Sequence, residues 1–191
     1  MIATRAALMK TIILDRDGVI NEDSDAYIKS ADEWIPISGS LEAIASLHRA
    51  GFRIAVASNQ SGLGRQLFDG FALANIHHKL CSMAEEAGGF VDRIFYCPHR
   101  PEDGCSCRKP GTGLLEQIER EYSCSLRNCY FVGDSLKDIQ AARAYGLKPV
   151  LVRTGNGAKT EQELLYDGSS AVPVFDDLAA AAEKLILHSN D

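Results

Sequence analysis

The stretch TIILDRDGVI, residues 11–20, places a short apolar run directly before two aspartates and a glycine. Residues 11–14 have the length and composition of a buried β-strand. Strict alternation along a strand would point Asp15 and Asp17 to opposite faces, but Gly18 permits a tight turn, so both side chains can address one site. The stretch therefore predicts a strand that ends in a turn carrying two carboxylates.

Apolar runs and amphipathic segments alternate along the rest of the chain. Ser40 is a candidate N-cap for a helix that stops at Gly51, and two glycines end a helical pattern over residues 76–87. The other predicted strands cover residues 53–58, 91–96, 129–132 and 149–152, and the other predicted helices cover residues 113–122, 136–145 and 178–187. This alternation predicts an α/β fold, a parallel sheet with helices on both faces. Because the sequence shows no repeat or linker, we expect one domain over residues 1–191.

Composition and charge narrow the classes of partner. The 191 residues are 46% hydrophobic and 24% charged, which is typical of a packed globular protein. The net charge of −6 disfavours nucleic acid and anionic membranes as partners. The N-terminal residues lack the long apolar region of a secretory signal, which predicts a cytoplasmic protein with reduced cysteines. No coiled-coil signature is present, so we expect a monomer.

Polar side chains come directly after each predicted strand, where the carboxyl ends of parallel strands meet at one edge of the sheet. Asp15 and Asp17 follow the first strand, Ser58 ends the second, and Asp134 follows the fourth. Three carboxylates in one place are costly unless a hard cation neutralises them, and Mg²⁺ suits carboxylates together with phosphate oxygens. Taken alone, the first motif could be an ordinary turn and Ser58-Asn59-Gln60 could be turn chemistry.

Two other catalytic patterns are missing from the sequence. No GxxxxGK[ST] loop is present, so a nucleoside-triphosphate P-loop is not supported, and the absence of GxSxG disfavours a serine hydrolase. The third predicted strand leads instead into a loop rich in cysteine, histidine, proline and glycine.

That loop carries a compact metal-ligand pattern. Cys97, His99, Cys105 and Cys107 form C-x-H-x5-C-x-C, a Cys₃His set that suits a structural Zn²⁺ ion. A disulfide between Cys105 and Cys107 is the alternative. We expect the zinc loop, residues 97–109, to be an insertion that delivers its last two residues to the site. The other cysteines are expected to be ordinary thiols and the histidines at 77 and 78 to be surface residues.

Over residues 10–152 the chain resembles the haloacid dehalogenase-like (HAD-like) phosphatases, whose Rossmann-like fold this implies. Asp15-Arg16-Asp17-Gly18-Val19-Ile20 matches the first motif of that superfamily, and Ser58, Lys109 and Gly133-Asp134 match the second, third and fourth. The resemblance implies that Asp15 is the nucleophile and that Asp17 is the general acid and base. It implies that Ser58 and Lys109 stabilise the phosphoryl group.

The same resemblance implies a catalytic Mg²⁺ ion. Its ligands would be Asp15, Asp134 and the main-chain carbonyl of Asp17. Asp138 fits this metal site and a helix capping box equally well.

The zinc loop and the sequence Cys-Arg-Lys-Pro narrow the resemblance to one branch of these phosphatases. Its members act on D-glycero-D-manno-heptose 1,7-bisphosphate, from which they remove the 7-phosphate in lipopolysaccharide or surface-glycan precursor synthesis, or on histidinol phosphate. The free-standing length and Ser61 favour the heptose substrate, a small phosphorylated sugar, and histidinol phosphate is the alternative.

The resemblance also suggests where the substrate binds. We expect Arg108 to bind the distal phosphate, since a guanidinium pairs bidentately with phosphate. Residues 21–34 would form a short flap in place of a large cap domain, with Asp23 either meeting sugar hydroxyls or simply solvated. Ser135 stands where heptose enzymes often carry lysine, which puts one charge contact in doubt. The remaining expected substrate-binding residues are Asn59, Gln60 and Ser61.

Overall fold

The computed structural model describes residues 10–166 and 172–189, which build one six-stranded sheet. Every neighbouring pair of strands is parallel, and the strand order is β3-β2-β1-β4-β5-β6. The strands are β1 (Lys10–Leu14), β2 (Phe52–Asn59), β3 (Arg93–Cys97), β4 (Tyr130–Gly133), β5 (Lys148–Val152) and β6 (Val174–Phe175). The predicted parallel α/β sheet is thus confirmed.

Helices cover both faces of this sheet, as predicted. They are α1 (Ser40–Arg49), α2 (Ser61–Gly64), α3 (Gly70–Glu86), α4 (Gly113–Tyr122), α5 (Leu136–Tyr145), α6 (Gly157–Tyr166) and α7 (Leu178–Ser189). One core cluster packs α1, α3 and α7 against Leu14 and Val56, and a second packs α4 and α5 against Ile13 and Ala55. Successive strand residues point to opposite faces, so Ile13 and Leu14 fall in different clusters.

Some helices and strands differ from those predicted from the sequence. Helices α4 and α5 have the predicted bounds, whereas α2, α6 and β6 were not predicted. Ser40 was wrongly predicted as an N-cap: Gly39 precedes the helix with a φ of 81°, and the Ser40 Oγ instead donates 2.6 Å to the Ile20 carbonyl. The serine therefore ties α1 to the segment after β1 and leaves the cap position to a glycine.

A short flap replaces any cap domain between β1 and α1, as predicted. Residues 21–34 contain no helix or strand, and only isolated bridges join Asn21 to Asp17 and Pro36. Trp34 is fully buried, and the Lys79 ammonium donates to the carbonyls of Ala31 and Trp34 at 2.7 and 2.8 Å. The end of the flap is thereby fastened to α3.

The zinc loop, residues 97–109, lies between β3 and α4. The prediction of one domain over residues 1–191 stays a prediction, because it includes residues outside the described ranges. No helix in the described part of the chain has both the length and the apolar character needed to cross a membrane.

Candidate active site

The strand register brings the predicted site residues to one edge of the sheet. Leu14 pairs with Val56 on one side and with Val132 on the other, so the residues that follow these three positions lie at the same edge of the sheet. Strand β2 runs on to Asn59, which pairs with Cys97. A cavity of about 290 Å³ opens there. The predicted residues that line it are Asp15, Asp17, Asp23, Ser58, Asn59, Gln60, Ser61, Arg108 and Lys109.

Lys109 is the buried cation at the centre of this site. Its Nζ lies 2.8 Å from the Asp15 carboxylate and 2.6 Å from that of Asp138, and it donates to the Ala57 carbonyl at 2.8 Å. Burial acts to lower the pKa of Lys109, but the Asp138 and Asp15 carboxylates outweigh it and hold the pKa above its usual value. The ammonium is therefore a fixed positive charge beside Asp15.

Asp15 sits at the end of β1 with one oxygen on Lys109. Its other oxygen accepts a hydrogen bond from the Arg16 amide at 2.7 Å. Burial, opposed by Lys109 and reinforced by Asp138 and Asp134, raises the pKa of Asp15 well above its usual value. Such a carboxylate is costly to ionise without further positive charge.

Asp134 lies beside Asp15 and faces the loop after β5. Its Oδ2 accepts from the Asn156 amide at 2.8 Å and from the Asn156 side chain at 3.3 Å. Burial, followed by the neighbouring Asp138, raises the pKa of Asp134 to about 6. Ligand oxygens of Asp15, Asp134 and Asp138 lie within 4.8 Å of one another.

This donor set fits Mg²⁺. Magnesium is bound through one or two carboxylates together with phosphate oxygens and waters, and a divalent cation would offset the cost of ionising buried acids. Asp15 and Asp134 are the members best placed to hold it, because both oxygens of Asp138 are already engaged.

Asp138 serves two structural purposes at the start of α5. One oxygen pairs with Lys109, while Oδ2 accepts from the Ser135 amide at 3.0 Å and from the Ser135 hydroxyl at 2.6 Å. The capping box that we considered equally with metal support is present. Asp138 therefore joins the start of α5 to the buried ammonium of Lys109.

Asp17 is bound away from the carboxylate cluster. The Arg16 guanidinium donates to it at 2.8–3.0 Å, and the Asn21 and Gln60 side-chain amides donate at 2.9 and 2.8 Å. Burial acts to raise the pKa of Asp17, but Arg16 and these hydrogen bonds lower it below its usual value. The Asp17 carboxylate is not a member of the metal-ligating cluster, which leaves its main-chain carbonyl as the expected ligand.

Asn59, Gln60 and Ser61 all line the cavity, but the first two are occupied by protein contacts. The Asn59 amide donates to the Lys109 carbonyl at 3.1 Å and accepts from the Lys109 amide at 3.0 Å. The Gln60 side chain donates to Ser58 Oγ at 2.8 Å besides Asp17, and accepts from Arg16 at 3.1 Å. These contacts point to positioning of Lys109 and Asp17 more than to direct substrate contact.

The predicted zinc ligands form a compact cluster. Distances of 3.3–3.5 Å separate the Cys97, Cys105 and Cys107 sulfurs, and the His99 Nδ1 lies 3.3 Å from Cys107 and 3.5 Å from Cys97. A tetrahedron of sulfurs around Zn²⁺ has edges of roughly 3.8 Å, so the cluster fits a zinc-binding loop. All three cysteines are free, which excludes the alternative disulfide between Cys105 and Cys107.

Arg108, near the end of the zinc loop, lines the cavity together with the flap. Arg108 is half-buried, and its guanidinium donates to the His99 carbonyl at 3.3 Å. Asp23 of the flap accepts from the Asn156 side chain at 2.9 Å. The flap is thereby linked to the residue that binds Asp134.

The loop after β5 is a part of the site that we did not predict. The Thr154 hydroxyl donates to the Gly18 carbonyl at 2.6 Å, and the Thr160 hydroxyl donates to the Asp134 carbonyl at 2.9 Å. The signal for this loop is present in the sequence, since Thr154 and Asn156 are polar residues just beyond the strand predicted over residues 149–152. They occupy the same kind of position as the polar groups at the other strand ends.

One of the two histidines predicted at the surface is less exposed than predicted. His78 is exposed as expected, whereas His77 is half-buried, with its ring centroid 5.6 Å from that of Tyr96. Burial, followed by the nearby Arg16, lowers the pKa of His77 to about 4. It is therefore a neutral packing residue behind the Arg16–Asp17 pair.

Comparison with known proteins places this site in a family. Residues 106–181 match the model of the HAD-hydrolase-like family. A D-glycero-beta-D-manno-heptose-1,7-bisphosphate 7-phosphatase of Pseudomonas aeruginosa is 53% identical over 175 residues, which is 92% of this chain and 97% of that protein.

Solved structures of proteins with the same activity in their names are also similar to this chain. The D,D-heptose 1,7-bisphosphate phosphatase from Bordetella bronchiseptica, complexed with magnesium and phosphate, is 52% identical with a TM-score of 0.88, covering 94% of this chain and 99% of that one. The enzyme of the same name from Burkholderia thailandensis is 38% identical with a TM-score of 0.70, covering 93% and 98%. Because sequence identity of this extent covers nearly its whole length, this chain belongs to the D-glycero-beta-D-manno-heptose-1,7-bisphosphate 7-phosphatase family of HAD-like phosphatases.

Proposed function

We propose that this protein removes the 7-phosphate from D-glycero-β-D-manno-heptose 1,7-bisphosphate in a Mg²⁺-dependent reaction. The observation that carries the proposal is the pairing of Asp15 with the buried ammonium of Lys109, beside Asp134, in a polar cavity. The substrate is inferred from relatives that are about 50% identical to this chain over more than nine-tenths of its length and that are named for this activity. That name also supports the β anomer, which the sequence motifs left open.

The residues support hydrolysis through an aspartyl-phosphate. An oxygen of Asp15 forms a bond to phosphorus as the bond from phosphorus to the C7 oxygen breaks. Asp17, which has to be protonated when the substrate is bound, gives the leaving oxygen its proton. Water then attacks the phosphorus, Asp17 takes a proton from that water, and the bond to Asp15 breaks to release inorganic phosphate. The contacts that keep Asp17 ionised suit this second step, in which it accepts a proton.

The positive charge around the phosphoryl group comes from fixed groups. Lys109 is held beside Asp15 before substrate arrives, so no reorganisation is needed during the reaction. The Ser58 hydroxyl, 1% exposed and bonded to Gln60, lies at the same end of the cavity. Mg²⁺ held by Asp15 and Asp134 would neutralise charge on the phosphate oxygens.

A comparison of two substrates tests this assignment. The alternative substrate, histidinol phosphate, is not supported, because the relatives carry the name of the heptose enzyme. We expect kcat/KM for the heptose bisphosphate to exceed that for histidinol phosphate by roughly a hundredfold or more, because a site that is built to hold a second phosphate should reject an amine in its place. Equal values, or preference for histidinol phosphate, would refute the assignment.

The expected cellular setting is also a proposal. Six free cysteines support a cytoplasmic location, and the net charge of −6 supports the absence of nucleic-acid and membrane partners. We also expect a monomer, because the sequence carries no coiled-coil signature. Light scattering of the purified protein would test the monomer, and a mass of twice 20.8 kDa would contradict it.

A further inference from the structure

Asn156, in the loop after β5, contacts two parts of the active site at once. Its side-chain amide donates to Asp23 Oδ2 in the flap at 2.9 Å and to Asp134 Oδ2 at 3.3 Å. Its main-chain amide donates to the same oxygen of Asp134 at 2.8 Å. One residue therefore holds both the flap and an expected Mg²⁺ ligand.

A role in capping α6 does not explain this side chain. Asn156 comes directly before α6, where an asparagine commonly caps the helix by accepting hydrogen bonds from its first amides. In the described part of the chain, Asn156 Oδ1 accepts no hydrogen bond, and Nδ2 makes both contacts. The Thr160 hydroxyl lies 3.2 Å from the Asn156 carbonyl oxygen and 2.9 Å from that of Asp134, which fixes the two main chains together. The side chain is thus directed at the site and not at its own helix.

The two oxygens of Asp134 have different surroundings. Asp134 is 2% exposed, and its Oδ2 accepts all the hydrogen bonds that Asn156 donates to it. Its Oδ1 accepts no hydrogen bond from the residues that the structure describes, so Oδ1 is the oxygen available to Mg²⁺. Hydrogen-bonded partners of a metal ligand commonly orient it and raise the affinity for the metal. Asn156 is such a partner of Asp134.

The front of the flap, residues 23–28, depends on the same asparagine. The residues of this segment that line the cavity are Asp23, Ser24, Asp25, Tyr27 and Ile28. Within the described ranges, the bond from Asn156 to Asp23 is the only hydrogen bond that joins residues 23–28 to a part of the chain outside the flap. The rear of the flap is held separately by Lys79. Asn156 is therefore the polar anchor of the front of the flap.

We propose that Asn156 is a positioning residue that couples the front of the flap to the Mg²⁺ site. This inference rests on the proposed function, because it requires Mg²⁺ to bind at Asp134. Coupling between two sites is reciprocal, so the flap contact raises the affinity for Mg²⁺ by the same factor by which bound Mg²⁺ strengthens the flap contact. Asp23 then acts on the metal through Asn156, although it is not a member of the metal-ligating cluster.

Calorimetric titration with Mg²⁺ alone tests the coupling without turnover. We expect Asn156→Ala, which keeps the main-chain donor, to raise the dissociation constant for Mg²⁺ roughly tenfold. Asp23→Ala should raise it roughly threefold, because the flap then no longer holds the Asn156 side chain. Asn75→Ala makes the same change as Asn156→Ala at an exposed position of α3, and should leave the constant unchanged.

Asp25→Ala is the control for the lost charge, since removal of any carboxylate from the cavity weakens its attraction for a cation. Asp25 is an exposed aspartate of the same flap that also lines the cavity, and it has no hydrogen bond to Asn156. Coupling predicts that Asp23→Ala weakens Mg²⁺ binding more than Asp25→Ala does in the wild-type background. In the Asn156→Ala background the two substitutions should have equal effects.

Hydrogen exchange of the flap is the reciprocal measurement. Saturating Mg²⁺ should slow exchange of the main-chain amides of residues 23–28 in the wild-type protein and not in Asn156→Ala. Equal slowing in both proteins, or equal effects of Asp23→Ala and Asp25→Ala in the wild-type background, would overturn the coupling and leave the Mg²⁺ site intact. A wild-type protein that binds no Mg²⁺ would overturn the coupling together with the proposed Mg²⁺-dependent reaction.

Discussion

The chemistry of the site depends on buried charges that stabilise one another. Lys109 lies between the Asp15 and Asp138 carboxylates, and Asn59 fixes its main chain through two hydrogen bonds. Removing one member of such a buried set leaves its partners uncompensated, which typically costs about 3–5 kcal/mol. Catalytic position and local stability are therefore coupled in the same side chains.

The raised pKa of Asp134 predicts how Mg²⁺ and pH act together. In the unfolded chain its pKa is near 3.8 and in the folded protein it is about 6, so the folded protein binds more protons between these values. This carboxyl group therefore makes the metal-free protein less stable as pH rises through that window. Because Mg²⁺ binds the ionised form, the gain in melting temperature on adding Mg²⁺ should be larger at about pH 7.5 than at about pH 5.

Asp134→Asn is the control for this prediction. The amide cannot ionise, so the pH dependence of the magnesium effect should become smaller in that variant. The part that remains belongs to Asp15, whose pKa is also raised. A gain in melting temperature that is the same at both pH values in the wild-type protein would show that Asp134 is not a magnesium ligand.

The sequence predicted which residues belong to the site better than it predicted what each of them contacts. The aspartates were found because they stand at strand ends, and the zinc ligands because of their spacing. Lys109 was found through the resemblance to the third motif of the HAD-like phosphatases. The duties of Asn59 and Gln60 could not be predicted, because their partners are as far away in sequence as Lys109 and Asp17. Similarly, nothing in the local sequence shows that His77 is packed against Tyr96.

At the scale of elements, the loop from β5 to α6 packs against the turn after β1 and against Asp134. Gly155 has a φ of 57°, and a Cβ there would lie 2.6 Å from the Gly18 Cα and closer still to the Asp134 carboxylate. Glycine is required for this close approach as well as for the backbone conformation. The loop therefore holds the turn after β1 against the end of β4.

Gly155→Ala should therefore impair catalysis. Displacing Asp134 and Gly18 should lower kcat roughly tenfold or more, measured as phosphate release under saturating substrate. Gly146→Ala is the matched control: φ is 83° there and no atom lies within 4 Å of the added Cβ. Both variants carry a backbone penalty of about 1 kcal/mol, so equal kcat values would contradict a role for the close contact.

The zinc loop should be needed for activity although it performs no chemistry. It carries Arg108 and Lys109 into the cavity, and a structural metal orders such a loop. We expect Cys105→Ser to lose the bound zinc and to lower kcat/KM by roughly tenfold or more, measured with a metal assay and a phosphate-release assay.

Cys124→Ser is the corresponding control, since Cys124 is a free cysteine outside the cluster. It should retain about one zinc per chain and full activity. A zinc-free Cys105→Ser protein with unchanged kcat/KM would show that the metal does not position the loop.

At the scale of the whole molecule, the alternation of strands and helices was enough to predict the layers of the fold. Strong apolar runs identified β1, β2, β4 and β5 because most of their residues are buried. The edge strand β3 is only partly buried and was identified from its aromatic and branched residues. The two-residue strand β6 at the sheet edge is too short to leave a pattern. Helix α6 was missed because its buried residues are few and include Thr160 and Gly157.

The site is a product of this whole arrangement. The carboxyl ends of β1, β2 and β4 lie at one edge of the sheet, the zinc loop borders one side of the cavity, and the flap and the loop after β5 border the other. The parallel sheet accounts for why residues as distant in sequence as Asp15, Lys109 and Asn156 meet.

Substitution of Asp15, the proposed nucleophile, tests the central claim most directly. Asp15→Asn should lower phosphate release from the heptose bisphosphate roughly a thousandfold or more, while the fold and the zinc content stay as in the wild type. The exposed flap variant Asp32→Asn, which makes the same chemical change, should retain full activity. Asp15→Asn turnover near the wild-type rate in a correctly folded protein would contradict the account.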